Sequence, residues 1–493
     1  METKPMDKKI DHGTVIQRAN EAIEKNTDMV KKSQYRLGYH YMAPAGWLND
    51  PNGLIQFKGE YHMFYQHHPY SSDWGPMHWG HAKSKDLVNW ENLPIALAPS
   101  EDYDIGGVFS GSAIDLDGIL TLYYTGHVDE KTPKEVQCVA TSTDGIHFEK
   151  HTANPIIDYP PVDGSFDFRD PKVWKHEDIW YMVISTGKEG IGKAVLYKSE
   201  DGFKWDYIGV VAQSDGTLGE IWECADLFPL GRGRSHALIT SLMGPEIERC
   251  KILLGEMDYA AGQFNWKHVE TMDYGFDYYA PQTFIDNQGR RIAIGWMDIW
   301  GAEFLTKPDG WCGAMALPRV IDLSAEGEVR YLPVVELEQL REQHIAFRDV
   351  GRTFGGSNPL EEVKGSQLEI KAVFDPAACS AQRFGLKVRC SEDGTQGTRI
   401  TYDMQAKKLS VDRSLAGLGA GGICTAPLEL TAGQKLDLHI YIDTTSIEVF
   451  ANGGRIVFSN RIYPDVTSNG VELLGLDGHV KVESLDIWTL RSV

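Results

Sequence analysis

Apolar residues in this chain alternate with polar ones far more often than they recur at helical spacing. Five times a run of alternation is broken by a short polar turn and resumed. The copies are residues 54–65 about Lys58-Gly59-Glu60, 113–124 about Asp117-Gly118, 172–184 about His176-Glu177-Asp178, 227–240 about Gly231-Arg232-Gly233, and 283–296 about Asn287-Gln288-Gly289. Alternation on both sides of Asp-Gly or Gln-Gly is the short-range signal of a β-hairpin. A second phrase, Ser-x-Asp-(Gly or Leu)-x-x-aromatic, keeps step with the first. It ends at Trp90, Phe148 and Trp205, with worn copies ending at Trp266 and Tyr331, so the aromatics lie 58, 57, 61 and 65 residues apart. One hairpin pair per such period describes a four-stranded blade. Five copies predict a five-bladed β-propeller over residues 36–335.

The flanks read differently. Near the N-terminus Val15, Ile16, Ala19, Ala22, Ile23, Met29 and Val30 fall at helical spacing among charged residues. Residues 13–32 are therefore expected to form an amphipathic helix packed on the body, within an N-terminal extension 1–35. Residues 336–358 read as a linker ending near Gly355-Gly356-Ser357-Asn358-Pro359. Beyond it, short alternating segments at 368–374, 385–390, 408–412, 436–442, 446–450, 455–460 and 480–490 predict a C-terminal β-sandwich over 359–493. The fold class expected is all-β: a propeller, then a sandwich, with one short N-terminal helix.

Composition narrows the chemistry. Fifty glycines with 13 Trp, 21 Tyr and 18 Phe suit tight turns and β cores, and flat rings also stack on sugar faces. A formal charge of −22 argues against nucleic acid and against an anionic membrane surface as partners. Residues 1–35 hold no apolar run of signal-peptide length, and no stretch reaches the roughly 20 apolar residues of a membrane span. The seven cysteines are scattered without a CxxC pair. Reduced thiols and a cytoplasmic location are expected.

The inner strand of each blade opens at one rim of the central channel, so residues just before it face a shared cavity. Three such positions are acidic: Asp50 in Trp47-Leu48-Asn49-Asp50-Pro51-Asn52-Gly53, Asp170 in Phe168-Arg169-Asp170-Pro171, and Glu223 in Trp222-Glu223-Cys224-Ala225-Asp226. Alone, Asp-Pro-Asn-Gly is good turn chemistry and Arg169-Asp170 an ordinary ion pair. What favours function is that the three acids fall at what reads as equivalent places in the repeat. Glycoside hydrolysis needs one carboxyl to protonate the leaving oxygen and a second to attack or to activate water. Clustered carboxylates also raise one another's proton affinity.

These motifs resemble those of glycoside hydrolase family 32. Phe64-Tyr65-Gln66, Trp74-Gly75-Pro76-Met77-His78-Trp79-Gly80-His81, Phe109-Ser110-Gly111-Ser112 and Glu448-Val449-Phe450-Ala451-Asn452-Gly453-Gly454 carry the likeness further, from about Tyr39 to the end. Ala225 stands where many relatives have Pro. The resemblance implies the same propeller and sandwich, and cleavage of the fructosyl bond of sucrose-6-phosphate or sucrose. It makes Asp50 the nucleophile, Glu223 the acid/base and Asp170 the transition-state stabiliser. Trp47, Leu48, Asn49, Gln66, Trp74, Phe109, Ser110, Arg169 and Trp296 are implied as substrate-binding. Cys224, beside the acid and with no His partner apparent, reads as a packing neighbour that tunes Glu223. A Lys or Arg on the rim is expected to serve the 6-phosphate.

No cofactor or metal is expected. His62, His67, His68, His78 and His81 are numerous, but His78-x-x-His81 lacks the Glu and the helix of a metalloprotease site. Gly231-Arg232-Gly233-Arg234 lacks the Lys-Ser/Thr ending of a nucleotide loop. Two other functions remain in view: an exo-acting fructan hydrolase, and a non-catalytic sugar-binding propeller. Against the second, a lectin has no need of three converging acids.

Overall fold

A computed structural model of the chain describes residues 11–231, 233, 235–244 and 249–493. Arg232 and Arg234 of the glycine-arginine turn lie outside these residues, as do residues 1–10 of the N-terminal extension.

The five hairpins form the inner two strands of five successive antiparallel sheets. Their inner strands are Gly46–Phe57, Gly107–Leu116, Phe168–His176, Ile221–Pro229 and Tyr279–Ile285. Together the sheets make a five-bladed β-propeller. The Ser-x-Asp phrase is the turn between the third and fourth strands of a blade. In blade one Asp86 Oδ1 accepts the backbone N–H of Val88 and Asn89, in blade two Asp144 accepts those of Ile146 and His147, and in blade three Asp201 accepts those of Phe203 and Lys204. Side-chain capping of this kind fixes a turn independently of what packs beneath it. The periodicity is therefore local chemistry repeated. In the fourth copy Asp258 accepts from Ala260 and Ala261 in the same manner.

Blade one carries a fifth strand. Blade five holds a long insertion between its second strand, Arg291–Trp296, and its third, Arg319–Leu323. From that insertion Trp311–Cys312 pairs in parallel with Gly46 and Trp47 at the head of the first inner strand. The ring is thus closed by backbone hydrogen bonds between its first and last blades.

The N-terminal helix runs His12–Val30, capped by Asp11, whose carboxylate accepts the Thr14 N–H at 3.2 Å. Ala19 packs with Ile95 and Ala98 on the outer side of blade one, and Val30 with Trp311 and Ala314.

A six-stranded and a five-stranded sheet form the sandwich. Its core is built from the apolar members of each alternating strand, and residues such as Ile370, Phe374, Leu438 and Val449 are wholly buried there. One expectation needs correcting. The stretch 336–358, read as a linker, is ordered: Val335–Leu340 is a 3₁₀ turn and Arg341–Thr353 a 13-residue strand paired along the C-terminal strand His479–Leu490. This strand is an edge, exposed or half-exposed throughout, so it shows none of the apolar alternation that marks a buried strand.

Candidate active site

Every inner strand breaks register at its channel end. Opposite a single partner residue, the first strand bulges at Asn49-Asp50, the third at Asp170-Pro171, the fourth at Cys224-Ala225 and the fifth at Ala280-Pro281. In the second, Ser110 is the unpaired residue. Asp170, Cys224 and Ala280 adopt positive φ of 66°, 51° and 49°. A β-bulge turns side chains that would lie on a sheet face toward the strand end, here into the channel. The three acids therefore do not hold equivalent places, contrary to expectation. Asp50 is the second bulged residue, Asp170 the first, and Glu223 the last paired residue before its bulge. What the blades share is the bulge.

Asp50, Asp170 and Glu223 line one cavity of about 350 Å³ at the channel mouth. Asp50 accepts hydrogen bonds from Ser110 Oγ at 2.6 Å and Asn49 Nδ2 at 2.8 Å. Asp170 accepts the Cys224 N–H at 2.7 Å, while its own N–H donates to Thr125 Oγ1. Glu223 is held from both sides. The Arg169 guanidinium reaches Oε1 with Nε at 3.1 Å and Nη2 at 3.0 Å, and Tyr279 OH donates to Oε2 at 2.7 Å. Arg169 is held in turn by Glu135 and Asp167.

Burial raises the proton affinity of Asp50, and the nearby charge of Glu223 adds to it. The hydrogen bonds from Ser110, Asn49 and Cys224 work the other way. Asp170 is pushed up by burial, with Glu223 and Asp50 adding to it against the pull of Arg169. Three carboxyls in one desolvated pocket cannot all carry charge without mutual cost.

Asn49, Gln66, Trp74, Phe109, Ser110 and Arg169 line the cavity. Trp47, Leu48 and Trp296 do not: all three are buried in the core. Trp47 acts one layer back, its Nε1 donating to Asn49 Oδ1 at 2.7 Å. The tryptophan that reaches the wall from blade five is Trp300, in the insertion, stacked on Trp47 with ring centroids 5.9 Å apart. Cys224 also differs from expectation. Its thiol lies 3.6 Å from Asp50 and its N–H binds Asp170, so it touches those two acids. Tyr279 and Glu135 had not been singled out. Tyr279 holds in blade five the place Glu223 holds in blade four, a likeness that only the strand pairing reveals. Glu135 opens the third strand of blade two and has no such counterpart. Of the blade-one histidines, His62, His67, His78 and His81 are buried, His62 and His81 sharing a hydrogen bond of 3.0 Å, and His68 is half-buried.

A propeller whose channel ends on converging carboxylates, beside a floor of amide and hydroxyl groups and a rim of aromatic rings, is the site of a carbohydrate hydrolase. The sequence matches the glycosyl hydrolases family 32 N-terminal domain over residues 40–333 and the family's C-terminal domain over 336–489. It is 40% identical to a sucrose-6-phosphate hydrolase of Escherichia coli, covering 92% of this chain and 94% of the relative. Among solved structures, a point mutant of a Bombyx mori GH32 β-fructofuranosidase in complex with sucrose superposes with a TM-score of 0.82. It is 32% identical over 98% of this chain and 99% of the other. A sucrose-6-phosphate hydrolase from Lactobacillus gasseri gives 0.85 at 26% identity, covering 96% of each. The chain belongs to glycoside hydrolase family 32.

Proposed function

We propose that this enzyme is a β-fructofuranosidase that hydrolyses the fructosyl bond of sucrose or sucrose-6-phosphate with retention of configuration. Glu223 protonates the bridging oxygen while Asp50 attacks fructosyl C2 in line, giving a covalent fructosyl-enzyme and a free glucosyl product. Water then gives a proton to Glu223 and attacks C2, releasing fructose and restoring the Asp50 carboxylate. Asp170 accepts hydrogen bonds from fructosyl hydroxyls beside the oxocarbenium-like transition state. Arg169 and Tyr279 aim Glu223.

The observation that carries this reading is that Asp50 and Glu223 come from different blades to one cavity, near enough for the charge of one to raise the proton affinity of the other. The accompanying assignment puts catalysis in the propeller, residues 36–335, with the sandwich as a support, and the enzyme in the cytoplasm. All seven cysteines are free thiols, six of them buried, which fits a reducing compartment. No helix among the described residues is long and apolar enough to cross a membrane.

Replacing Glu223 by Gln tests the assignment. Turnover of sucrose should fall by about 10²–10⁴-fold while sucrose binding, followed by calorimetry, persists. Unchanged turnover would remove Glu223 from the mechanism. Proton NMR of the first-formed fructose should show the β anomer, and initial release of the α anomer would rule out the covalent route.

A further inference from the structure

We propose that the site selects an uncharged disaccharide, so that sucrose is cleaved in preference to sucrose-6-phosphate. The inference rests on the assignment of Asp50 and Glu223 above. That assignment seats the fructosyl unit at the floor and turns the glucosyl unit, with any 6-phosphate, toward the mouth.

The mouth is acidic. Among the described residues lining the cavity are six carboxyl groups, the floor acids Asp50, Asp170 and Glu223 with Asp129, Glu135 and Asp167, against two permanent cations, Arg169 and Lys134. Both cations are engaged. Arg169 gives Nη1 to Glu135 and Asp167, Nε and Nη2 to Glu223, and Nη2 also to the Met243 sulfur at 3.4 Å. Its planar fork, the usual means of gripping a phosphate, is filled from within the protein. Lys134 is the other cation among the described lining residues. Its Nζ lies 2.8 Å from Asp167 Oδ1.

Outermost is Asp129, whose side chain is 79% exposed and 3.1 Å from His127 Nε2. A sugar phosphate carries up to two negative charges near neutral pH. To bind here it must draw Lys134 away from Asp167 while lying beside Asp129. An unphosphorylated glucosyl ring meets no such opposition, and Trp74 and Trp300 offer it flat apolar faces.

The test compares kcat/KM for sucrose and sucrose-6-phosphate on the full chain, at about 0.01 M and about 0.15 M ionic strength, where the Debye length falls from roughly 30 to 8 Å. Sucrose should be favoured by about 10-fold or more at the lower salt, the ratio narrowing at the higher, since the opposition is electrostatic. Asp129→Lys should shift the ratio several-fold toward sucrose-6-phosphate. If that variant does not fold, Asp129→Asn should shift it the same way by less. Equal or higher kcat/KM for sucrose-6-phosphate in the wild type overturns the proposal, as does a ratio that neither salt nor substitution moves. Turnover of neither sugar would overturn the functional assignment itself, and this inference with it.

Discussion

Asp50 sits where two influences oppose each other. Burial and the charge of Glu223 favour its protonated form, and three hydrogen-bond donors favour the carboxylate that the proposed mechanism needs. The acid limb of kcat/KM should therefore lie above the ordinary value of an aspartate, since on the proposed mechanism activity appears only as Asp50 loses its proton. Ser110→Ala removes the bond at 2.6 Å that favours ionisation. It should move the acid limb to higher pH and lower kcat/KM by about 10-fold near the limb, while the alkaline limb stays in place. A pH–rate profile decides this, and an unmoved acid limb would show that the limb does not report Asp50. Tyr279→Phe should reduce kcat more than it raises KM, because it frees one oxygen of Glu223 without touching the fructosyl pocket. At this scale the sequence was informative about which acids share a cavity, Asp50, Asp170 and Glu223. It misled where two tryptophans a few residues apart could each have faced the sugar. Trp296 lies on a regular strand and is swallowed by the core, and Trp300 lies on an insertion that no repeat predicts.

The bulge is the element that makes a site out of a repeat. It was not legible, because a bulge is a mismatch between two strands and neither strand shows it alone. The hairpins were legible, because their turns are short and their runs alternate. Closure of the ring was not, since it depends on a two-residue parallel strand within the insertion of blade five. Gly313 follows that strand with φ of +85°, and a Cβ placed there would come within 1.9 Å of the Leu48 carbonyl oxygen. Gly313→Ala should cost at least ~2 kcal/mol, from left-handed backbone strain together with the clash. Because Leu48 flanks the Asn49-Asp50 bulge, it should also lower kcat. Denaturant melts alongside kinetics would test both, and an alanine variant with wild-type stability would contradict the placement of this turn.

Over the whole molecule, one buried charge network joins the propeller to the sandwich. His40, just ahead of the first inner strand, gives both ring nitrogens to sandwich carboxylates, Asp443 at 2.8 Å and Glu448 at 3.0 Å. Glu448 also binds Arg319 of blade five at 2.7 Å, and Arg319 binds Asp273 at 2.8 Å. The Glu448 motif was legible as a family mark, but its work as a joint depends on contacts hundreds of residues away. Burial opposes charge on His40, and the hydrogen bonds it donates to Asp443 and Glu448 outweigh it, holding the imidazolium up to about 9. A folded-state value above the unfolded one of about 6.5 stabilises the protein fully below pH 6.5. That contribution is lost as pH rises through about 9. The denaturation midpoint should therefore fall between about pH 6.5 and about 9.5, and the slope should flatten in His40→Gln. A wild-type midpoint that is flat or rising over that range would contradict the assigned charge.

Ring closure also orders events in time. Asp50 leaves the ribosome early, but the strand beside its bulge gains its outer neighbour only when Trp311–Cys312 has been made. His40 waits longer still, for Asp443 and Glu448 near the far end of the message. A nascent chain arrested after four blades would thus hold both carboxylates proposed to react yet lack the clasp that sets the first of them in place, so hydrolytic competence should arrive late in translation and all at once.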